Sequence, residues 1–193
     1  KSDVDTDILK IMSKKSTATL IGCGLGKYDK RLVLEVILKS DSPIIVDADG
    51  INLICENINV VLNAKEKVVL TPHPAELSRI CGVSVEEILK NRLFYAVKTA
   101  RELNCIVVAK GADTFITDGH TVYLNCVGNT SLSKGGSGDI LAGLICGIVA
   151  QGVNPLEACA CGCYILGKTA EVLSESYSER GIVGSDIISA FPY

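Results

Sequence analysis

Residues 129–141 read NTSLSKGGSGDIL, a run of small polar residues and three glycines that ends in one aspartate and leads into an apolar helix. Gly135, Gly136 and Gly138 let successive backbone N–H groups converge without side-chain obstruction. A helix beginning at Gly138 adds the positive end of its dipole, so Gly135, Gly136, Ser137 and Gly138 together read as an anion cradle. Asp139 falls in the first turn, where the dipole favours its charged form. From there it can take a proton from a hydroxyl aligned with a phosphoryl group. An ordinary glycine turn with an acidic first-turn residue is the competing reading. Asn129 before the turn and the long small-residue helix after it weigh against that alternative.

Working outward, apolar runs alternate with helical periodicity. The pattern predicts a helix near Asp5 to Ser13, a strand at Ala18 to Gly22, a helix near Lys30 to Leu38 and a strand at Pro43 to Val46. It continues with a strand at Lys67 to Leu70, helices over Ala75 to Cys81 and Val85 to Leu103, and a strand at Cys105 to Ala109. TFITDGHTVYLN, residues 114–125, alternates apolar and polar residues around Asp118-Gly119 and reads as a hairpin. Helices are expected over Gly138 to Gln151, Pro155 to about Ser176, and Ser185 to Ala190. This alternation predicts an α/β fold, a single domain with a mostly parallel sheet and helices on both faces.

Three further turns fall at predicted strand ends, the edge where open α/β sheets bind ligands. IGCGLG, residues 21–26, has the spacing G-x-G-x-G and lacks that of a dinucleotide fingerprint, although the acid of IIVDAD lies at about the distance of a ribose-binding acid. A tight turn and a ligand contact at Gly24 and Gly26 are equally open readings, and Lys27 lacks the context of a phosphate-loop lysine. In LTPHPAEL, Pro72 and Pro74 bracket His73 and hold it at a strand-to-helix turn. His73 reads as a cap beside Glu76, and Glu76 could equally orient a water on a metal ion. VAKGADTFI puts Lys110 and Gly111 at the end of another strand, again on the ligand-binding edge, although one lysine at a strand end is usually a surface residue.

Composition narrows the function classes. The chain has 193 residues, 48% of them hydrophobic, enough for one substantial core. A net charge of −3 with scattered Lys and Arg gives no field for a nucleic-acid backbone. The longest apolar stretch, Ile140 to Ala150, is 11 residues, short of the roughly 20 a membrane span needs. With no secretory pattern at the start, a cytoplasmic location is expected. The nine cysteines are odd in number, and Cys23, Cys55, Cys105, Cys126 and Cys146 sit within apolar segments, so reduced thiols are expected. In CACGC only Cys159 and Cys163 share a helix face, which favours small buried residues at a helix contact over a metal site.

GGSGD resembles the anion hole and catalytic aspartate of the ribokinase-like fold. Together with GCGLG, VDADGIN, LTPHPAEL, VAKGADT and GNTSLSKGGSGDILAGLICG, the chain resembles, in order and over nearly its whole length, the ADP- or ATP-dependent NAD(P)H-hydrate dehydratases. That resemblance implies a ribokinase-like sheet and a hydrated nicotinamide cofactor bound at Gly24, Gly26 and His73. It implies a nucleotide at Lys110, Gly111, Ala112, Asp113, Thr114, Asn129 and Gly138, with Asp139 as the acid–base residue. Asn52 and Glu76 match polar positions near the phosphates and Mg²⁺, with ADP or ATP as the consumed donor. Cys23 stands where the family's GPGLG has proline. The resemblance further implies an N-terminal strand-and-helix portion ahead of this chain's first residues, and a homo-oligomer is expected. A small-molecule kinase of the same fold, acting on a hydroxymethylpyrimidine, a thiazole alcohol or a sugar, stays open, as does a non-catalytic nucleotide-binding fragment.

Overall fold

The computed structural model describes residues 16–26 and 30–191. The helix expected near Asp5 to Ser13 and the residue Lys27 lie outside them. β1 (Thr19–Ile21), β2 (Ile44–Val46), β3 (Val68–Leu70) and β4 (Ile106–Ala109) run parallel. β5 (Thr114–Thr117) and β6 (Val122–Asn125) form the expected hairpin and extend the same sheet antiparallel, in the order β1-β2-β3-β4-β5-β6.

The period-two alternation of the strands sorts their side chains into two cores. Ile44, Val46, Val68, Leu70, Val107 and Ala109 face one side. That side is covered by α1 (Lys30–Lys39), α2 (Asp49–Ile54), a 3₁₀ helix (Cys55–Asn63), α3 (Pro74–Cys81), α4 (Val85–Lys90) and α5 (Arg92–Leu103). Ile45, Val69, Ile106, Val108 and Ile116 face the other side, under α6 (Ser137–Ala150), α7 (Pro155–Ser174) and α8 (Gly184–Ser189). Each fully buried Val, Leu or Ile contributes about 1.5–3 kcal/mol of transfer free energy, so this two-sided burial fixes strand register. A slip of one residue would exchange the two cores.

The register also sets the site. Ile21 pairs with Val46 and Val46 with Leu70, so the residues that follow, Gly22, Asp47 and Thr71, stand side by side at the carboxyl ends of their strands. The ladder runs one step past the strands: the Asp47 N–H donates to Ile21 O (3.1 Å), Thr71 N–H to Val46 O (3.2 Å) and Lys110 N–H to Pro72 O (2.9 Å).

Three local features depart from the sequence expectations. The single helix over Val85 to Leu103 is two, broken at Asn91 (φ −132°, ψ 35°), whose side-chain amide donates to Glu87 Oε1 (3.0 Å). Asp49–Ile54 and Cys55–Asn63 are helical although no helix was expected there. Cys126 is exposed because it follows the edge strand β6, whose Val122, Tyr123 and Leu124 are themselves exposed. Among the described residues β1 is an edge strand and half-buried.

The helix-face argument for CACGC holds: Cys159 and Cys163 are buried and Cys161 is exposed. Gly162 between them lets α7 approach α6 closely, since a Cβ there would come 2.8 Å from Ile145. Among the described residues no helix is long and apolar enough to cross a membrane.

Candidate active site

The glycine turn delivers Asp139 as the sequence predicts. Gly136 takes φ 91°, a left-handed conformation open to glycine, and starts α6 with no side-chain cap. Ser137 donates its N–H to Lys134 O (3.3 Å), so that amide of the expected cradle is occupied. Among the described residues no protein group accepts from the amides of Gly138 and Asp139, and these remain as donors at the positive end of the helix. Asp139 is solvent-exposed in the first turn.

Lys134 anchors the turn, a role the sequence reading missed. Its ammonium donates to the carbonyls of Glu179 (3.0 Å), Arg180 (2.9 Å) and Ile182, matching three donors with three acceptors.

A second missed residue is Asp47, buried at 1% exposure between the glycine turn and Lys110. Its Oδ1 accepts from Thr71 Oγ1 (2.6 Å) and from Lys110 Nζ (2.8 Å). The signal was present in IIVDAD as the first acid beyond an apolar strand, but the strand register was needed to set it beside Thr71. The pair reaches the start of α6: a Cβ on Gly138 would lie 3.4 Å from Lys110 Nζ and 3.8 Å from Asp47 Oδ2. Lys110 is therefore no stray surface lysine. It carries positive charge to the amides that Gly138 and Asp139 present.

The GCGLG turn packs against the same edge. Gly22 (φ 130°) permits a close approach that no other residue could make, since a Cβ there would meet Asp47 O at 1.8 Å. Gly24 and Gly26 also take positive φ, with open space around them, and the Gly26 N–H donates to Asp49 Oδ2 (2.7 Å). Between these acids Ala48 adopts φ 49°, ψ −120°, a strained conformation of the kind that collects at functional sites.

His73 caps α3, accepting from the Ala75 and Glu76 amides at Nδ1 (3.1 and 3.3 Å), while Glu76 Oε2 accepts from the His73 N–H (2.8 Å). The capping alternative weighed for His73 is thus present in full. Its ring stays 48% exposed, which leaves a face for a ligand. His73 Nε2 lies 3.2 Å from Glu76 Oε1. Burial raises the Glu76 carboxyl above its ordinary range, opposed by the His73 amide bond and the charges of Lys110 and His73. Asn52 accepts from Arg79 Nη1 (2.8 Å).

A cavity of about 410 Å³, a size suited to a small-molecule ligand, opens beyond Lys110. Gly111, Ala112, Thr114 and Asn129 line it, with Leu132 and Leu141 supplying apolar wall. The Asn129 amide is committed within the protein. It donates to Ala170 O (3.2 Å) and Ser174 Oγ (2.7 Å) and accepts from Ser131 N–H (3.1 Å). The carbonyl of Asp113 accepts from Arg92. Arg92 packs under Gly111, where a Cβ would come 2.1 Å from its guanidinium, and lies 5.1 Å over the Phe115 ring. The fold thus gathers Gly22–Gly26, Asp47, His73, Lys110 and Gly138–Asp139 at one sheet edge, with the cavity alongside.

A family model described as NAD(P)H-hydrate dehydratase matches residues 3–192. The chain is 35% identical over 181 residues to the ADP-dependent (S)-NAD(P)H-hydrate dehydratase of Neisseria meningitidis serogroup B, covering 90% of this chain and 61% of the relative. It is 36% identical over 177 residues to the bifunctional NAD(P)H-hydrate repair enzyme Nnr of Moorella thermoacetica, covering 90% of this chain and 33% of that one. The crystal structure of the ADP/ATP-dependent NAD(P)H-hydrate dehydratase from Bacillus subtilis, co-crystallized with ATP/Mg²⁺, superposes with a TM-score of 0.80 at 31% identity. That match covers 91% of this chain and 62% of the solved one. The chain therefore spans about a third of the bifunctional relative and about three fifths of the other two.

Proposed function

Because the chain belongs to the NAD(P)H-hydrate dehydratase family, we propose that it returns the hydrated cofactor (S)-NAD(P)HX to NAD(P)H, using ADP or ATP as a consumed phosphoryl donor. The observation that carries this reading is the placement of exposed Asp139 in the first turn of α6, beside the Lys110–Asp47 pair and the cavity lined by Gly111, Ala112 and Thr114.

The donor nucleotide lies in that cavity with its terminal phosphoryl group toward the free amides of Gly138 and Asp139. Those amides, the helix dipole and the Lys110 ammonium stabilise negative charge as the phosphoryl group transfers. Asp47 holds Lys110 in place. The hydrated ring lies on the side of Gly24, Gly26 and His73. Asp139 accepts the proton of the hydrate hydroxyl as its oxygen attacks phosphorus and the bond to the nucleotide breaks. The phosphate ester then leaves as inorganic phosphate, expelled by the lone pair of the adjacent ring nitrogen, and the reduced ring is restored. Mg²⁺ bound to the donor's phosphates would neutralise part of their charge. Glu76, an oxygen donor of the type Mg²⁺ takes, would face it through water, since both its oxygens lie against His73.

Incubation of NADH hydrate with Mg²⁺ and either nucleotide tests the reading. Recovery of the reduced-nicotinamide absorbance supports it, and a stable phosphorylated product in place of reduced cofactor contradicts it.

A further inference from the structure

The GCGLG turn carries Cys23 to the same edge, with its Sγ 3.7 Å from Asp47 Oδ2. The sulfur of Cys23 and carboxylate oxygens of Asp47 and Asp139 all lie within 4.8 Å of one another. A thiol joined to two carboxylates is a donor set for thiophilic divalent ions, whereas Mg²⁺ takes oxygen donors. Zinc, with Zn–S of about 2.3 Å and Zn–O of about 2.0–2.2 Å, spaces its donors by about 3.5 Å. A change of side-chain rotamer at exposed Asp139 is the kind of movement that closure requires.

A further observation supports a built site. Asp47 is buried, and Thr71 and Lys110 both engage its Oδ1, which turns Oδ2 toward Cys23 and the start of α6. Outer partners that fix a carboxylate in this way orient it as a ligand.

We propose that Cys23, Asp47 and Asp139 form a binding site for a thiophilic divalent cation of the Zn²⁺ type, with water as the fourth ligand. Binding converts the Cys23 thiol to a metal-bound thiolate and releases one proton to solvent. The site stands on its own geometry. Its consequence, that such an ion holds the enzyme out of turnover by occupying Asp139, rests on the proposed role of Asp139 as base. A proline at position 23 would supply no donor, so the site belongs to this chain's cysteine.

Cd²⁺ is the probe, because its thiolate complexes absorb in the ultraviolet. Cys126 and Cys161 are exposed, so the titration uses the reduced full chain with Cys126→Ala and Cys161→Ala, in excess Mg²⁺ and without substrate. The expected result is one equivalent of Cd²⁺–thiolate absorbance that Mg²⁺ does not displace, with one proton released per ion. Adding Cys23→Ala should abolish it, and Asp139→Asn should weaken affinity at least roughly tenfold. An unchanged band after Cys23→Ala, or no band in the folded parent, overturns the proposal. Because no nucleotide or hydrate is present, neither outcome depends on the dehydratase reading.

Discussion

Replacing Asp139 by asparagine keeps size and polarity at the start of α6 but removes the group that can take a proton. Turnover should fall at least roughly 10²-fold, the loss expected for a positioned base. Thermal melting and nucleotide affinity should stay close to those of the parent, because Asp139 is exposed. Near-normal turnover in the purified variant would remove Asp139 from the base role. Lys110 calls for a different outcome. Asp47 is 1% exposed, and Lys110 is its only cationic partner among the described ion pairs. Lys110→Met leaves that carboxylate buried with only the neutral Thr71 hydroxyl and Cys23 thiol beside it and should cost about 3–5 kcal/mol of stability, read by denaturant unfolding. Adding Asp47→Asn to Lys110→Met removes the orphaned charge and should recover part of the loss. If the double variant is no more stable than Lys110→Met, the pair is not the source of the effect.

The turn at residues 134–139 acts as one element, anchored by Lys134 and opened by the left-handed Gly136. A Cβ fits at Gly138, 3.4 Å from Lys110 Nζ, but the branches of valine would press on Lys110 and screen the free amides. Gly138→Val should therefore weaken nucleotide binding and turnover together while the fold persists. Unchanged ADP and ATP affinities by calorimetry would contradict the cradle. At this scale the sequence was legible where periodicity was strong. β2, β3 and β4, apolar on both faces, and the α6 and α7 helices lie within one or two residues of expectation. Asp49–Asn63 was not read as helical; it is a short α-helix of six residues followed by a 3₁₀ stretch kinked at Asn57 (φ −127°). The break at Asn91 was hidden: apolar residues continue on both sides of it, and only the backbone turn there separates α4 from α5. In the site, Gly136, Gly138, Asp139 and Lys110 were readable as motif and strand-end residues. Asp47 and Lys134 were not, since their roles depend on strand register and on carbonyls more than 40 positions away.

For the whole molecule, the two sheet edges bear on assembly. β1 is half-buried and β6 is exposed, and each leaves backbone groups without a ladder partner among the described residues. Self-association is the expected outcome. Light scattering should give a mass that is a multiple of 20.4 kDa, and a monomer throughout the micromolar range would contradict it. The chain also spans only about three fifths of the Neisseria relative, so the decisive test is made on these 193 residues themselves. The measurement is the product balance when purified chain meets NADH hydrate, Mg²⁺ and ADP or ATP. The account predicts one reduced cofactor and one inorganic phosphate for each donor consumed, with no phosphorylated hydrate accumulating. Donor consumption that yields a stable phosphorylated product, or nucleotide binding without phosphate release, would contradict it.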